Sequence, residues 1–101
     1  MSRGFRVSSR ASADLDDIAD YSLRTWGADQ MASLLVALDE RFALLAEHPG
    51  MGQARPEIGP DLRSFVVGPH VIYYRGSHQA VEIVAVSHAA RDAAKTLKGP
   101  M

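Results

Sequence analysis

The sequence predicts an α+β fold: an N-terminal strand, an antiparallel helix hairpin packed on a mostly antiparallel four-stranded sheet, and a short C-terminal helix. Three observations carry that expectation. Apolar residues recur at helical spacing from Leu15 to Leu45, interrupted by glycine only at Gly27. Three apolar runs rich in β-branched residues follow between residues 62 and 87, separated by Gly68-Pro69 and by Gly76–Gln79. The 101 residues, 47% hydrophobic and 23% charged, suit one domain spanning 1–101.

The elements follow in order. Phe5-Arg6-Val7-Ser8-Ser9 alternates apolar and polar residues, as a short strand does. Ser12 is placed to cap a first helix, with Asp14, Asp16 and Asp17 in its opening turns, where the helix dipole favours acid. Leu15, Ile18, Ala19, Ser22 and Trp26 define its buried stripe, and Gly27 ends it. Asp29 is placed to cap the second helix, whose apolar series is Met31, Leu34, Leu35, Leu38, Phe42 and Leu45. Pro49-Gly50 stops it, and so short a join makes the helices an antiparallel hairpin. Residues 49–61 hold three prolines and three glycines and read as an ordered loop anchored by Met51 and Ile58. The strands expected next are Leu62–Val67, His70–Arg75 and Ala80–Ser87, the last apolar enough to lie centrally in the sheet. Adjacent tyrosines, Tyr73 and Tyr74, should face opposite sides, one in the core and one exposed. Ala89–Leu97 is expected to form a final short helix, with Gly99 and Pro100 beyond it.

Composition narrows the function. The chain has no cysteine, which excludes disulfides, thiolate zinc sites and thiol nucleophiles. Residues 1–6 lack the apolar core of a signal peptide, and no apolar run approaches the ~20 residues of a membrane span, so the cytoplasm is the expected address. A net charge of −1 argues against indiscriminate nucleic-acid binding. The acidic stretch Asp14–Asp20 and the more basic second half imply two separate working surfaces. His48, His70, His78 and His88 are scattered without ligand spacing, and Gly50-Met51-Gly52 is too short for a phosphate loop. Neither a metal nor another cofactor is expected, and no serine sits in a nucleophile elbow. What remains is a basic and aromatic set, Arg63, His70, Tyr73, Tyr74, Arg75, His88 and Arg91, able to line one face against phosphates, bases or an acidic protein.

Read in order, several segments resemble the RelE/ParE superfamily of bacterial toxins from type II toxin–antitoxin modules. They are Phe5–Ser8, Ala13–Tyr21, Trp26-Gly27, Leu44–Gly52, Arg55-Pro56-Glu57, Leu62–Phe65, Val71–Arg75 and Val86–Asp92, together spanning most of the chain. The loop Pro49-Gly50-Met51-Gly52 with Arg55-Pro56-Glu57 is similar to the ParE branch in particular. That branch implies DNA gyrase inhibition by binding, a role in plasmid stabilisation and growth inhibition, and a cognate antitoxin whose C-terminal segment wraps the toxin. DNA would be reached only through that antitoxin. The RelE branch implies ribosome-dependent mRNA cleavage instead. Where that branch carries its working groups this chain has Val71, Ala89 and Lys95, with Arg91 alone retained, which favours a toxin that is not an enzyme. An inactive, antitoxin-binding member is a third alternative. The residues expected to meet the target are Arg55, Arg63, Arg75, His88, Arg91 and Lys95. Those expected to meet the antitoxin are Tyr21, Leu23, Trp26, Leu35 and Phe42, because these helices hold more apolar residues than one buried face can use.

Overall fold

The computed structural model describes residues 4–76 and 80–88, so the helix expected over 89–97 lies outside the described residues, as do Arg91 and Lys95. In chain order the elements are β1 (Phe5–Val7), α1 (Ser9–Trp26), α2 (Ala28–Glu47), a 3₁₀ turn (Pro49–Met51), β2 (Gln53–Ala54), β3 (Leu62–Val67), β4 (His70–Gly76) and β5 (Val81–His88). They build a five-stranded mixed sheet in the order β1-β5-β4-β3-β2. Two features depart from the expected four-stranded, mostly antiparallel sheet. The loop contributes the two-residue strand β2, and β1 runs parallel to β5 while the other pairings are antiparallel. β5 is therefore an inner strand, and β4 holds the centre.

The first helix begins earlier than its spacing suggested. Ser8, not Ser12, is the cap: its hydroxyl accepts the Ala11 N–H at 3.0 Å. The same hydroxyl donates to the Val84 carbonyl at 2.9 Å, so one side chain starts the helix and closes the edge of β5. Asp14 continues that edge, its carboxylate accepting the Val86 N–H at 2.9 Å. Where β1 ends at Val7, side chains of α1 thus take over the bonding groups of β5. Asp14 belongs to the frame of the molecule rather than to an acidic working face, and no acidic residue lies in the first turn of α1.

Gly27 alone separates the helices. Its φ of +96° suits only glycine, its N–H bonds the Leu23 carbonyl at 3.0 Å, and its carbonyl accepts from Met31 at 3.1 Å. Asp29, expected as the cap of α2, instead sits in its first turn, where it favours the dipole without capping.

The hairpin covers one face of the sheet. Ile18, Leu38, Phe42 and Leu45 meet Ile72, Tyr74, Val81, Ile83 and Val86 in the main core, with Leu15 and Leu34 half-buried beside it. Trp26, placed by spacing on the buried stripe of α1, is 57% exposed instead. The reverse face has its own smaller cluster, Leu62, Tyr73 and Ala85, covered by Ile58 from the loop. Met51, the other expected loop anchor, is exposed.

This second cluster overturns the expectation for the tyrosines. They do face opposite sides, but both sides are covered, and both rings are buried. A β-bulge helps. Tyr74 pairs with Ile83 and Tyr73 with Ala85, so Val84 is the extra residue that sets Val84 and Ala85 together against the Tyr73 side.

Candidate functional site

Three regions bring together the residues singled out by sequence. The first is the loop after α2. Tyr74 projects from β4 through the core, and its hydroxyl donates to the Pro49 carbonyl at 2.7 Å and accepts from the Gly52 N–H at 2.8 Å. Arg63 on β3, the cross-strand partner of Tyr74, donates to the Gly52 carbonyl at 2.8 Å. Gly52 has to be glycine here, because a Cβ would stand 2.5 Å from the Tyr74 oxygen and 2.7 Å from the Ser64 carbonyl. Arg55 donates its Nε–H to the Ser64 hydroxyl at 2.9 Å and lies 3.5 Å from the Glu57 carboxylate. Arg55 and Arg63, both expected to meet a target, therefore spend donors fixing the loop against the sheet. Burial pushes the Tyr74 hydroxyl above its ordinary pKa of 10.0; the Gly52 N–H and the Arg63 guanidinium act the other way with smaller effect.

The second region is a cleft of about 660 Å³ at the end of the sheet where β3 starts and β4 stops. Arg63 and Arg75 line it with Asp61, Leu62, Ala54 and Gly76. The hairpin register sets both arginines at that end of the sheet but on opposite faces, since Arg75 pairs with Leu62 and Arg63 with Tyr74. A tight turn at Gly68-Pro69 fixes that register, so the sequence held the signal for this pairing even though the cleft itself was not anticipated. Asp61 adopts φ +62°, a left-handed conformation that aspartate tolerates better than most residues. Among the described residues Arg75 makes no ion pair; Glu82, opposite it on β5, sends its carboxylate toward Arg6 at 3.8 Å. His88 is placed elsewhere. It pairs with His70 across β4 and β5, the rings edge-to-face at 5.4 Å, at the other end of those strands. The expected basic and aromatic face is thus divided: its tyrosines are interior, its histidines lie at one end of the sheet, and Arg63 and Arg75 lie at the other.

The third region is the helix hairpin. A groove of about 290 Å³ runs along it, lined by Val7, Leu15, Ala19, Leu35, Leu38 and Phe42, with Asp16 and Asp39 contributing carboxylates. Of the five residues expected to meet an antitoxin, Leu35 is half-buried in this groove. Tyr21, Leu23 and Trp26 are exposed near the end of α1, where the Tyr21 and Trp26 rings meet edge-to-face at 5.7 Å. Phe42 departs from the expectation. It is 2% exposed and packs edge-to-face on Phe5 at 5.7 Å, so it belongs to the core and forms at most the floor of the groove. Its position, four residues beyond buried Leu38 and three before buried Leu45, is what carries it inward.

No helix among the described residues is long and apolar enough to cross a membrane, and no three of their metal-ligating side chains converge. Comparison with known proteins adds the family. The family described as the ParE toxin of the type II toxin–antitoxin system, parDE, matches residues 5–93. The chain is 42% identical over 89 residues to Toxin ParE1 of Caulobacter vibrioides, covering 88% of this chain and 92% of that protein. It is 32% identical over 98 residues to Toxin ParE1 of Mycobacterium tuberculosis, covering 96% and 100% respectively. Among solved structures, a chain of the chromosomal ParDE TA system from P. aeruginosa superposes with a TM-score of 0.72 at 21% identity, covering 86% of this chain and 98% of that one. That last likeness shows the fold, whereas the family match extends from the first residue of β1 past the end of β5. The chain belongs to the ParE toxin family of type II toxin–antitoxin systems.

Proposed function

We propose that this toxin arrests growth by binding DNA gyrase, without catalysis of its own, and that a cognate antitoxin silences it by occupying the hairpin groove. The observation that carries the non-catalytic reading is the packing of Val71. RelE-like nucleases resemble one another in holding an arginine at this point of the strand. Here the position is filled by an apolar side chain packed against the Leu62, Tyr73 and Ala85 cluster. A cation for the developing phosphorane charge has no place there. Tyr73 and Tyr74, the nearest phenols, are buried and offer no exposed group to a ribose hydroxyl.

A supercoiling assay with purified gyrase tests this reading. Toxin in excess should halt supercoiling and accumulate cleaved plasmid, and added antitoxin should restore the reaction. Undiminished supercoiling would sink the proposal, and A-site cuts mapped by primer extension would install the nuclease reading in its place.

For the antitoxin, the groove suits the apolar face of an amphipathic helix, recognised by anchors spaced a turn apart. Leu35→Asp should abolish co-purification with the antitoxin and leave the melting temperature within a few degrees, because Leu35 is only half-buried. Retained co-purification would move the antitoxin off this groove.

A further inference from the structure

We infer that the hairpin groove selects its occupant by charge, and that the segment it seats is a basic amphipathic helix whose lysine or arginine reaches Asp16. The inference rests on the reading of this groove as the antitoxin's seat, and it names the chemistry of the segment that fills it.

The groove is apolar along its floor and acidic on both helices. Leu15, Ala19, Leu35, Leu38 and Phe42 line it together with Val7 of β1, which is 38% exposed. Asp16 stands three residues before Ala19. Asp39 stands four residues after Leu35 and three before Phe42. These spacings put each carboxylate on the same helix face as the apolar lining. No arginine, lysine or histidine lines the groove among the described residues. The arginines of α1 are directed to other acids, Arg10 lying 3.8 Å from Asp14 and Arg24 3.0 Å from Asp20. Asp16 is exposed and makes no ion pair among the described residues. The imbalance extends over the whole hairpin. Residues 9–47 hold eight carboxylates against three arginines, in a chain whose net charge is only −1.

Charge separates the occupants that an apolar groove invites. A second copy of the toxin, meeting this face about a two-fold axis, would set carboxylates against carboxylates. The anionic surface of a membrane is repelled in the same way. A helix with apolar anchors a turn apart and basic residues beside them meets both features at once. Its leucines or valines fill the floor, the methylenes of a lysine or arginine lie over the apolar edge, and the cationic head reaches the Asp16 carboxylate. Covering the groove also removes water from around Asp16, so the pair contributes more there than on an open surface.

The test has two arms. In the first, the full-length toxin is titrated by fluorescence anisotropy with two helical peptides, stapled on their outer face. They carry the same leucines at i, i+4 and i+7 and differ only in the flanking residues, lysine in one and glutamate in the other. The lysine peptide should bind about tenfold more tightly or better, and its binding should weaken between about 50 and about 500 mM salt. Asp16→Lys should abolish or reverse the preference, with Asp16→Asn between it and wild type; both should melt within a few degrees of wild type, because the side chain is exposed. Leu35→Asp should lose both peptides. Equal affinity for the two, binding of neither, a preference that survives Asp16→Lys, or peptide binding that survives Leu35→Asp would overturn the inference. Self-association of the toxin that Leu35→Asp abolishes would overturn it too, giving the groove to a second copy. In the second arm, calorimetry with the antitoxin should show Asp16→Lys binding about tenfold more weakly than wild type and with less dependence on salt. Wild-type affinity in Asp16→Lys, where Leu35→Asp abolishes binding, would overturn the charge selection and leave the seat in place. If Leu35→Asp keeps the antitoxin, the seat itself falls, and the first arm still decides what the groove selects.

Discussion

Replacing Tyr74 with phenylalanine should destabilise the fold by about 2–4 kcal/mol, although the ring stays and only one oxygen is lost. That oxygen serves two buried backbone groups at once, the Pro49 carbonyl and the Gly52 N–H. Phenylalanine leaves both without a partner in a place water does not reach, and each such orphan costs about 1–3 kcal/mol. Urea unfolding of the pure toxin measures the loss as a lower midpoint at unchanged slope. The loop should respond more than the core, so amide exchange at Gly52 should accelerate beyond the global change. The pH dependence supplies a second signature. Burial raises the Tyr74 pKa above 10.0 in the folded state, so above that value the unfolded chain sheds this proton before the folded chain does. The folded state then binds more protons, and stability falls with rising pH from about 10 until the folded pKa is passed. The contribution is complete below pH 10, and the Tyr74→Phe variant should lack this part of the alkaline decline. Unchanged stability and an unchanged alkaline limb would mean the loop is held by Arg63 and Arg55 alone.

The same network shows why parts of the molecule were legible from sequence and others were not. The hairpin and strands β3 to β5 are written in local periodicity, and their bounds fall within a residue or two of the expected ones except at the start of α1, which lies four residues earlier. What escaped depends on residues far apart. Ser8 wins the cap from Ser12 partly through a bond to Val84, 76 residues away, and no local rule weighs that. The parallel pairing of β1 with β5 and the two-residue β2 are likewise decided by what the sheet edges need, not by alternation in strands that short. Tyr73 and Tyr74 followed the alternation rule, yet the rule says nothing about whether the second face is covered, and Ile58 covers it. At the cleft the two arginines were recognised, but grouping them with His88 and the tyrosines failed. Face and strand end are independent coordinates, and spacing alone reports only the first.

Phe42 and Trp26 illustrate that limit and give the sharpest contrast in expected stability. Both are aromatic, both sit on the hairpin, and surplus apolar content nominated both for the antitoxin. The structure separates them. Phe42 lies 2% exposed between the helices and the sheet, in contact with Phe5 of β1, and Trp26 is 57% exposed at the end of α1. Phe42→Ala removes a ring from the main core, where truncation costs about 3–5 kcal/mol in transfer and cavity terms together. Against a total of about 5–15 kcal/mol for a domain, that is a large share. At about 4–8 °C per kcal/mol, the melting temperature should drop by at least about 12 °C. Trp26→Ala loses little beyond the edge contact with Tyr21 and should cost about 1 kcal/mol or less. The two variants should therefore divide the roles. Phe42→Ala weakens antitoxin binding only through loss of folded toxin, and binding recovers in calorimetry run well below its melting point. Trp26→Ala keeps its fold at every working temperature, so any affinity it loses is a direct measure of contact at the hairpin end. A Phe42→Ala toxin that melts like wild type would return that ring to the binding surface. Undiminished antitoxin affinity in Trp26→Ala would confine the antitoxin to the groove beneath.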